Sequence, residues 1–537
     1  MSEPVYQGSS LSRPLAFITR IPHQLWWFAV LAIIVGCSLF YVQIPVSPDS
    51  AVFDYIGWII SQGGTPYVDA ADQNWPGQMF VHTLSAALFG NQMWSYRALE
   101  VLLILPVSCF ILYAFLKATG DRLAAIIAIP VFWVLYMVAG FWESGQRDMV
   151  AGPLLIAAGL MMYRRIALQG KMPVLVIQGV FIALATLIRP TLLIMGPLLM
   201  VADGLLVLKT QRRLLTVLVD HTVVAISILA VFAGVALLAL PSGALAAWYD
   251  MAIRFPLEVY SHTKTVADTI AETTPIFFGN IKSYLLMALV GGYLLFRRDL
   301  TAFLLVLMIF PAGLISIFVQ GKALGYHLAV LYPPLAIMLA AAFSYAAQLL
   351  TRRQLSLPLL AVASLLVVIT TASLAKKVLN TFSPVLAKNT GAISAEQFYS
   401  GYSGGDENSI SEVLALVEYI KSTTEETDTI LNWGRSCHVY TWSGRRSPYF
   451  AISSAMLMEP TDEFSGFEGW RQQLQSIFDT DPPTLLLMVN NTSGSGYVGV
   501  PTDPSQVTLA RVIVGALAEY QLEKTIGTID IYRYRNH

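Results

Sequence analysis

About eleven apolar segments, each long enough to cross a hydrocarbon layer of roughly 30 Å as a helix, crowd the chain up to Ala375 and leave few folds open to it. They run approximately over Trp26–Pro45, Tyr96–Leu116, Leu123–Phe141, Met149–Tyr163, Val174–Ile188, Thr191–Leu208, Leu214–Leu240, Ile281–Phe296, Phe303–Val319, His327–Ala347 and Leu357–Ala375. In lipid a backbone must satisfy its own polar groups, so such runs predict a helical bundle. Composition agrees, since 55% of the 537 residues are hydrophobic, only 12% are charged, and the mean hydropathy is +0.61. A soluble domain needs more polar surface than this chain can offer. The reading is an α-helical polytopic membrane protein.

Cations give the expected orientation, because Lys and Arg stay on the cytoplasmic side of short connections. One set of connections carries Lys117 and Arg122; Arg164, Arg165 and Lys171; Lys209, Arg212 and Arg213; Arg297 and Arg298; Arg352 and Arg353. The intervening set holds single cations: Arg147, Arg189, Arg254, Lys264 and Lys322. With Arg13 and Arg20, residues 1–25 are expected to be cytoplasmic, and an odd number of spans places the carboxyl terminus outside. The expectation is an integral plasma (inner) membrane protein whose span region, 26–375, carries large outer loops at 45–95 and 241–280. The first apolar run is longer than a signal-peptide core and lacks a clear small-residue cleavage site, so it is expected to remain as an anchor.

After Ala375 the chain turns polar, and 376–409 reads as a linker or a segment that hugs the surface. From 410 to 537, helical spacing over Ile410–Ser422, Trp470–Phe478 and Leu509–Tyr520 alternates with strand-like "DTILNW", "TLLLMVN" and "GTIDIYRY". That alternation predicts a small extracytoplasmic α/β domain with a partly parallel sheet. No Gly-rich phosphate loop follows a strand, so a Rossmann nucleotide site is not supported. Cys37 and Cys109 fall in spans and Cys437 stands alone, which argues against an internal disulfide framework. A net charge of −1 points to no nucleic-acid partner.

Candidate chemistry concentrates between spans. The stretch "PVSPDSAVFDYIGWIISQGGTPYVDAADQNWPG" places Asp49, Asp54, Asp69 and Asp72 beside the membrane without a Lys or Arg among them. Ser50–Ser61 has the spacing of a helix lying along the interface. Asp49 can cap that helix, as can Ser47 or Ser50, or it can serve as a base at the rim of a cavity. Asp69 and Asp72, with Tyr67 and Trp75 nearby, suit a turn, or a lip that binds sugar or metal. The short connection "GFWESGQRDMVAG" holds Glu143, Arg147 and Asp148, charges that are costly between spans unless paired or facing water. Arg189, Lys322, Tyr326 and His327 suit binding of an anionic headgroup, or a snorkelling anchor. No His, Asp or Glu falls at zinc-finger or HExxH spacing, so no motif requires a cofactor, while the loop carboxylates are compatible with a divalent cation.

Taken together, the first loop resembles that of polytopic glycosyltransferases of the GT-C fold, in the branch holding protein O-mannosyltransferases and the bacterial lipid A aminoarabinose transferases. The residues that carry the resemblance are Asp49, Tyr55, Gly64, Tyr67, Asp69 and Pro76, while "GQRDM" and "YHLAVLYPPLA" are also similar. The resemblance implies inverting transfer of a sugar from a polyprenyl-phosphate donor to a lipid, glycan or protein hydroxyl outside the bilayer, with Asp49 as general base. It implies substrate-binding roles for Tyr55, Tyr67, Asp69, Arg147, Asp148, Arg189, Lys322, Tyr326 and His327. Aminoarabinose transferases typically carry a Lys before the loop's Pro pair, where this chain has Asn74, Trp75, Pro76 and Gly77. A transporter or flippase of a lipid-linked saccharide also needs many spans and headgroup-binding cations, yet it needs neither an Asp-rich outer loop nor a substantial outer domain.

Overall fold

The computed structural model describes residues 23–259, 265–320, 324–352, 357–403, 408–453, 456–457, 461–489 and 508–536. Each of the apolar runs is helical there. Among the described residues seven helices are long and apolar enough to cross a membrane: Ser95–Ala118, Arg147–Ile166, Pro190–Val207, Leu214–Ala239, Leu300–Gln320, Gly325–Leu349 and Ala361–Asn389. A pair bent by 82°, Ala267–Gly279 with Ile281–Arg298, makes an eighth if the two cross as one span, and Val30–Tyr41, Arg122–Met137 and Pro173–Ile188 are shorter apolar helices. Their interdigitated side chains form one core, with Phe132, Tyr136, Leu155, Ile182 and Leu335 fully enclosed. Leu238 and Val368, on peripheral helices, are exposed instead.

The segment 376–409, expected as a linker, is largely helical. The last span continues unbroken to Asn389, and a short helix follows at Ala395–Ser400. The stretch from Ala375 to Phe382 holds neither Gly nor Pro, so nothing in it stops a helix, and the first left-handed residue is Gly391 at φ 75°.

The C-terminal domain carries a four-stranded sheet in the order β1-β2-β4-β3, with β1 Ile430–Trp433, β2 Leu485–Val489, β3 Tyr520–Ile526 and β4 Ile529–Tyr534. β1 and β2 are parallel, as alternation predicts, whereas β4 pairs antiparallel with both neighbours. The expected helix at Leu509–Tyr520 is shorter, Ala510–Ala516, and Tyr520 opens a hairpin that turns at Gly527, φ 59°. Strand β3 escaped detection because five of its seven residues are exposed, which removes the buried half of the alternation.

A second core joins this sheet to the first loop. Phe53, Tyr55, Ile56, Ile59 and Tyr67 pack with Leu416, Trp433, Tyr440, Phe450 and Leu486, while Met251 and Phe255 of the helical stretch after Ala239 close its edge. Fully burying a side chain of this size is worth roughly 1.5–3 kcal/mol. The first loop is therefore built into the C-terminal domain.

Candidate functional site

The chain leaves its first helix into a buried knot. Arg97 donates to the carbonyls of Ile44 at 3.2 Å and Pro45 at 2.8 Å, to the Tyr41 hydroxyl at 2.6 Å and to Glu100 at 2.8 Å. Glu100 also accepts from the hydroxyls of Tyr136 and Tyr41. Both charges are fully enclosed, which is tolerable because their hydrogen-bonding capacity is so heavily used. The knot fixes the two carbonyls just ahead of Val46 and Ser47.

Ser47 then caps the helix Pro48–Ser61, its hydroxyl accepting from the Ser50 amide at 3.4 Å, with Pro48 at the start where a missing N–H costs nothing. Asp49 is thus in the first turn without being the cap. This helix lies against the helix Pro76–Phe89 so closely that a Cβ on Gly57 would sit 2.5 Å from the His82 backbone. Pro76–Phe89 in turn abuts the end of Pro173–Ile188, where a Cβ on Gly77 would meet Ile188 at 2.6 Å. These two contacts bring the first loop beside Arg189.

The Asp49 side chain is 28% exposed. Its Oδ2 accepts from Gln146 Nε2 at 3.3 Å, its Oδ1 lies 3.9 Å from Arg435 Nη2, and the Tyr326 phenol faces the same carboxylate. Asp72 sits within electrostatic reach of Asp49 and Arg147. Burial pushes its carboxyl above the usual range, against the opposing pull of the Asn74 amide and of Arg147. Arg147, 12% exposed, opens the helix Arg147–Ile166 with its Nε 3.9 Å from Asp148 Oδ2. Glu143 of the same connection turns toward Gly325 and Lys377, and burial raises its carboxyl too.

Asp148 and Arg189 form a fully buried ion pair. Arg189 also donates to the His327 carbonyl at 3.3 Å, and the Gln320 amide oxygen, turned toward it, lies 2.9 Å from Nε and 3.2 Å from Nη2. A guanidinium so enclosed and so fully used is a strut between three helices.

Of the residues expected to bind substrate, the structure brings together Asp49, Arg147, Asp148, Arg189, Tyr326 and His327, and it changes the part played by several. Arg189 and the buried His327 brace the site from behind instead of forming a cationic rim. Lys322 lies outside the described residues. The Tyr55 hydroxyl accepts from the Ser447 amide at 2.8 Å, and that of Tyr67 donates to the Asn74 carbonyl at 2.7 Å with Asp72 within its electrostatic reach. Asp69 accepts from the Thr65 amide at 2.6 Å in a tight turn, as the simpler alternative has it, beside an open cavity lined also by Arg446 and Gln473. Sequence reasoning missed Gln146, Asp72 and Arg435 as neighbours of Asp49. The first adjoins Arg147 and the second belongs to the loop's acidic quartet, but nothing in "WGRSC" singles out Arg435. Among the described residues no three His, Cys, Asp or Glu side chains converge as a metal-binding group.

Residues 73–237 match the model of the family described as dolichyl-phosphate-mannose-protein mannosyltransferase. A comparison with curated proteins gives no match. In structure the chain is similar to ArnT from Cupriavidus metallidurans bound to undecaprenyl phosphate, with a TM-score of 0.58, 14% identity, and 94% of this chain and 97% of that one covered. The apo state of the same enzyme gives a TM-score of 0.58 at 12% identity over 95% and 98%. The archaeal oligosaccharyltransferase AglB from Archaeoglobus fulgidus, in complex with an inhibitory peptide and a dolichol-phosphate, is similar at 0.46 and 14% identity over 86% and 69%. The fold of this chain, from the first helix through the C-terminal domain, is that of the GT-C membrane glycosyltransferases.

Proposed function

We propose that the protein is a glycosyltransferase that moves a sugar from a polyprenyl-phosphate donor to a hydroxyl of a lipid, glycan or protein acceptor, on the side of the membrane that carries the C-terminal domain. The observation that carries this reading is the partly open carboxylate of Asp49 with Arg147 and Arg435 close by, while the neighbouring Arg97–Glu100 and Arg189–Asp148 pairs are sealed. In the proposed reaction Asp49 takes the acceptor proton as the acceptor oxygen bonds to the anomeric carbon. The bond from that carbon to the phosphate oxygen breaks, and the departing phosphate is stabilised by cations. One in-line displacement inverts the anomeric centre. The undecaprenyl phosphate in the similar ArnT structure supports a lipid phosphate as carrier. The helix Arg147–Ile166 leads from the site to Arg164 and Arg165 over about 27 Å, at 1.5 Å per residue. That places the cation-rich connections on the opposite face, which supports an extracytoplasmic site.

The test is a panel of radiolabelled polyprenyl-phosphate sugars offered to the purified protein in nanodiscs with an envelope extract, with and without chelator. Label is expected to pass from at least one carrier to a new product of opposite anomeric configuration, and loss of transfer with chelator would assign a divalent cation to the reaction. Retained configuration would remove the single-displacement mechanism, and no transfer across the panel would remove the activity.

A further inference from the structure

Arg435 reaches the site from the far end of the chain, and its approach is built into the fold. It lies in the turn between β1 and the helix His438–Ser443, and the first loop fastens that segment along its length. His438 Nε2 is 3.0 Å from the Val46 carbonyl, the Tyr440 and Tyr55 rings are 4.7 Å apart, Asn91 donates to the Thr441 carbonyl at 2.8 Å, and Ala71 donates to the Phe450 carbonyl at 3.0 Å. The guanidinium itself is 36% exposed, and 3.9 Å from Asp49 is too far for a hydrogen bond. Charge alone holds the two together.

We propose that Arg435 is a donor-binding residue whose guanidinium engages the lipid-linked phosphate, so that the C-terminal domain supplies part of the catalytic site. This rests on the reading of the protein as a polyprenyl-phosphate-dependent transferase. Two arguments lead to it. A phosphate leaving group needs cations, and with Arg189 committed to Asp148, Arg147 and Arg435 are the guanidiniums placed about Asp49. A permanent guanidinium partner would also weaken Asp49 as a base, whereas one that transfers to the phosphate leaves the carboxylate to the acceptor. The planar fork of Arg suits phosphate bidentately.

The experiment measures binding to the full-length protein in nanodiscs, with undecaprenyl phosphate, undecaprenol and inorganic phosphate as probes. Arg435→Gln is expected to weaken undecaprenyl phosphate binding about tenfold or more, the range of a charge-assisted contact, and to leave undecaprenol binding unchanged. Arg435→Lys should lose less. Arg471→Gln, at an exposed pair with Glu468 on the same domain, should change neither. Equal weakening for the phosphate and the alcohol would make Arg435 a packing residue and overturn the proposal, as would an unchanged affinity for the phosphate. Should Arg435→Gln fail to fold, Arg435→Lys with an unaltered melting temperature decides by the same phosphate-against-alcohol comparison. Inorganic phosphate that binds as tightly as the lipid, with the same dependence on Arg435, would overturn the lipid assignment. If the unmodified protein does not bind undecaprenyl phosphate at all, the donor reading itself falls, a result that needs no variant and is thus separable from the role of Arg435.

Discussion

Beneath the first loop, Arg97 and Glu100 are sealed from water and bonded to each other, to two tyrosines and to two backbone carbonyls. A few residues beyond those carbonyls, Asp49 has a long bond from Gln146, the Tyr326 phenol facing it and a cation 3.9 Å away, and keeps 28% of its side chain exposed. Both regions pair acid with arginine next to the same stretch of chain. The knot has used its bonding capacity on the fold, so it can hold but not react. The rim has kept capacity in reserve, and only such a carboxylate can exchange a structural partner for a substrate hydroxyl. The Asp54–His82 pair, just over one turn further along the Asp49 helix, is closer to the sealed kind, with His82 buried, 2.6 Å from a mostly covered Asp54 and stacked on Tyr96 at 3.8 Å.

That contrast breaks most visibly at Asp49. Asp49→Asn keeps size and removes proton affinity, so turnover should fall by about two to four orders of magnitude while the melting temperature and undecaprenyl phosphate binding stay near the parental values. Parental turnover in this variant would erase the distinction between rim and knot. Arg97→Ala should do the opposite, costing about 3–5 kcal/mol by leaving Glu100 enclosed without its cation. Thermal unfolding in detergent would show it, and Arg97→Ala with Glu100→Ala should recover part of the loss; an unshifted melting point for the single variant would mean that water reaches the knot.

The domain contact adds a pH test. Burial holds the His438 imidazole at about 4, well below its ordinary 6.5, and the charge of Asp54 opposes this only in part. The unfolded chain takes up that proton first, so this contribution to stability is complete above pH 6.5 and drains away as pH falls toward 4, by about 3 kcal/mol in all. Melting curves of the parent and of His438→Gln should therefore converge on acidification, and curves that stay parallel from pH 7 to 4 would remove His438 as the cause. The smallest effect expected is at Asp54→Asn, about 1–3 kcal/mol of stability with turnover nearly unchanged. A large kinetic defect there would show that the sealed pair also takes part in the reaction.

The span helices were legible because lipid demands long apolar runs, and the helix carrying Asp49 was legible from its spacing and the Ser-Pro ahead of it. Asp49 stood out as an acid without a cation in its own loop. What remained hidden was the cation that comes from elsewhere: no local pattern can announce that Arg435 will lie beside Asp49. Tyr55 and Tyr67 are hard to read for a related reason. An aromatic hydroxyl beside a membrane reads alike whether it meets a sugar or, as here, the Ser447 amide and the Asn74 carbonyl. The helical backbone of 376–389 was not legible from its polar composition, because Lys, Leu, Asn and Thr from Lys376 to Phe382 carry the helix on, and it runs through Pro384 to Asn389.

The shared core also imposes a timetable on the cell. Tyr55 finds Ser447 across 392 residues of chain. At roughly 5–20 residues per second, synthesis needs about 20–80 seconds to cover that distance. Throughout this interval Phe53, Tyr55, Ile56 and Ile59 have emerged without the side chains that enclose them in the finished protein. The apolar face of the first loop must rest on lipid or on a chaperone until the C-terminal domain arrives, and a chain halted before Ile410 would be left with that face uncovered.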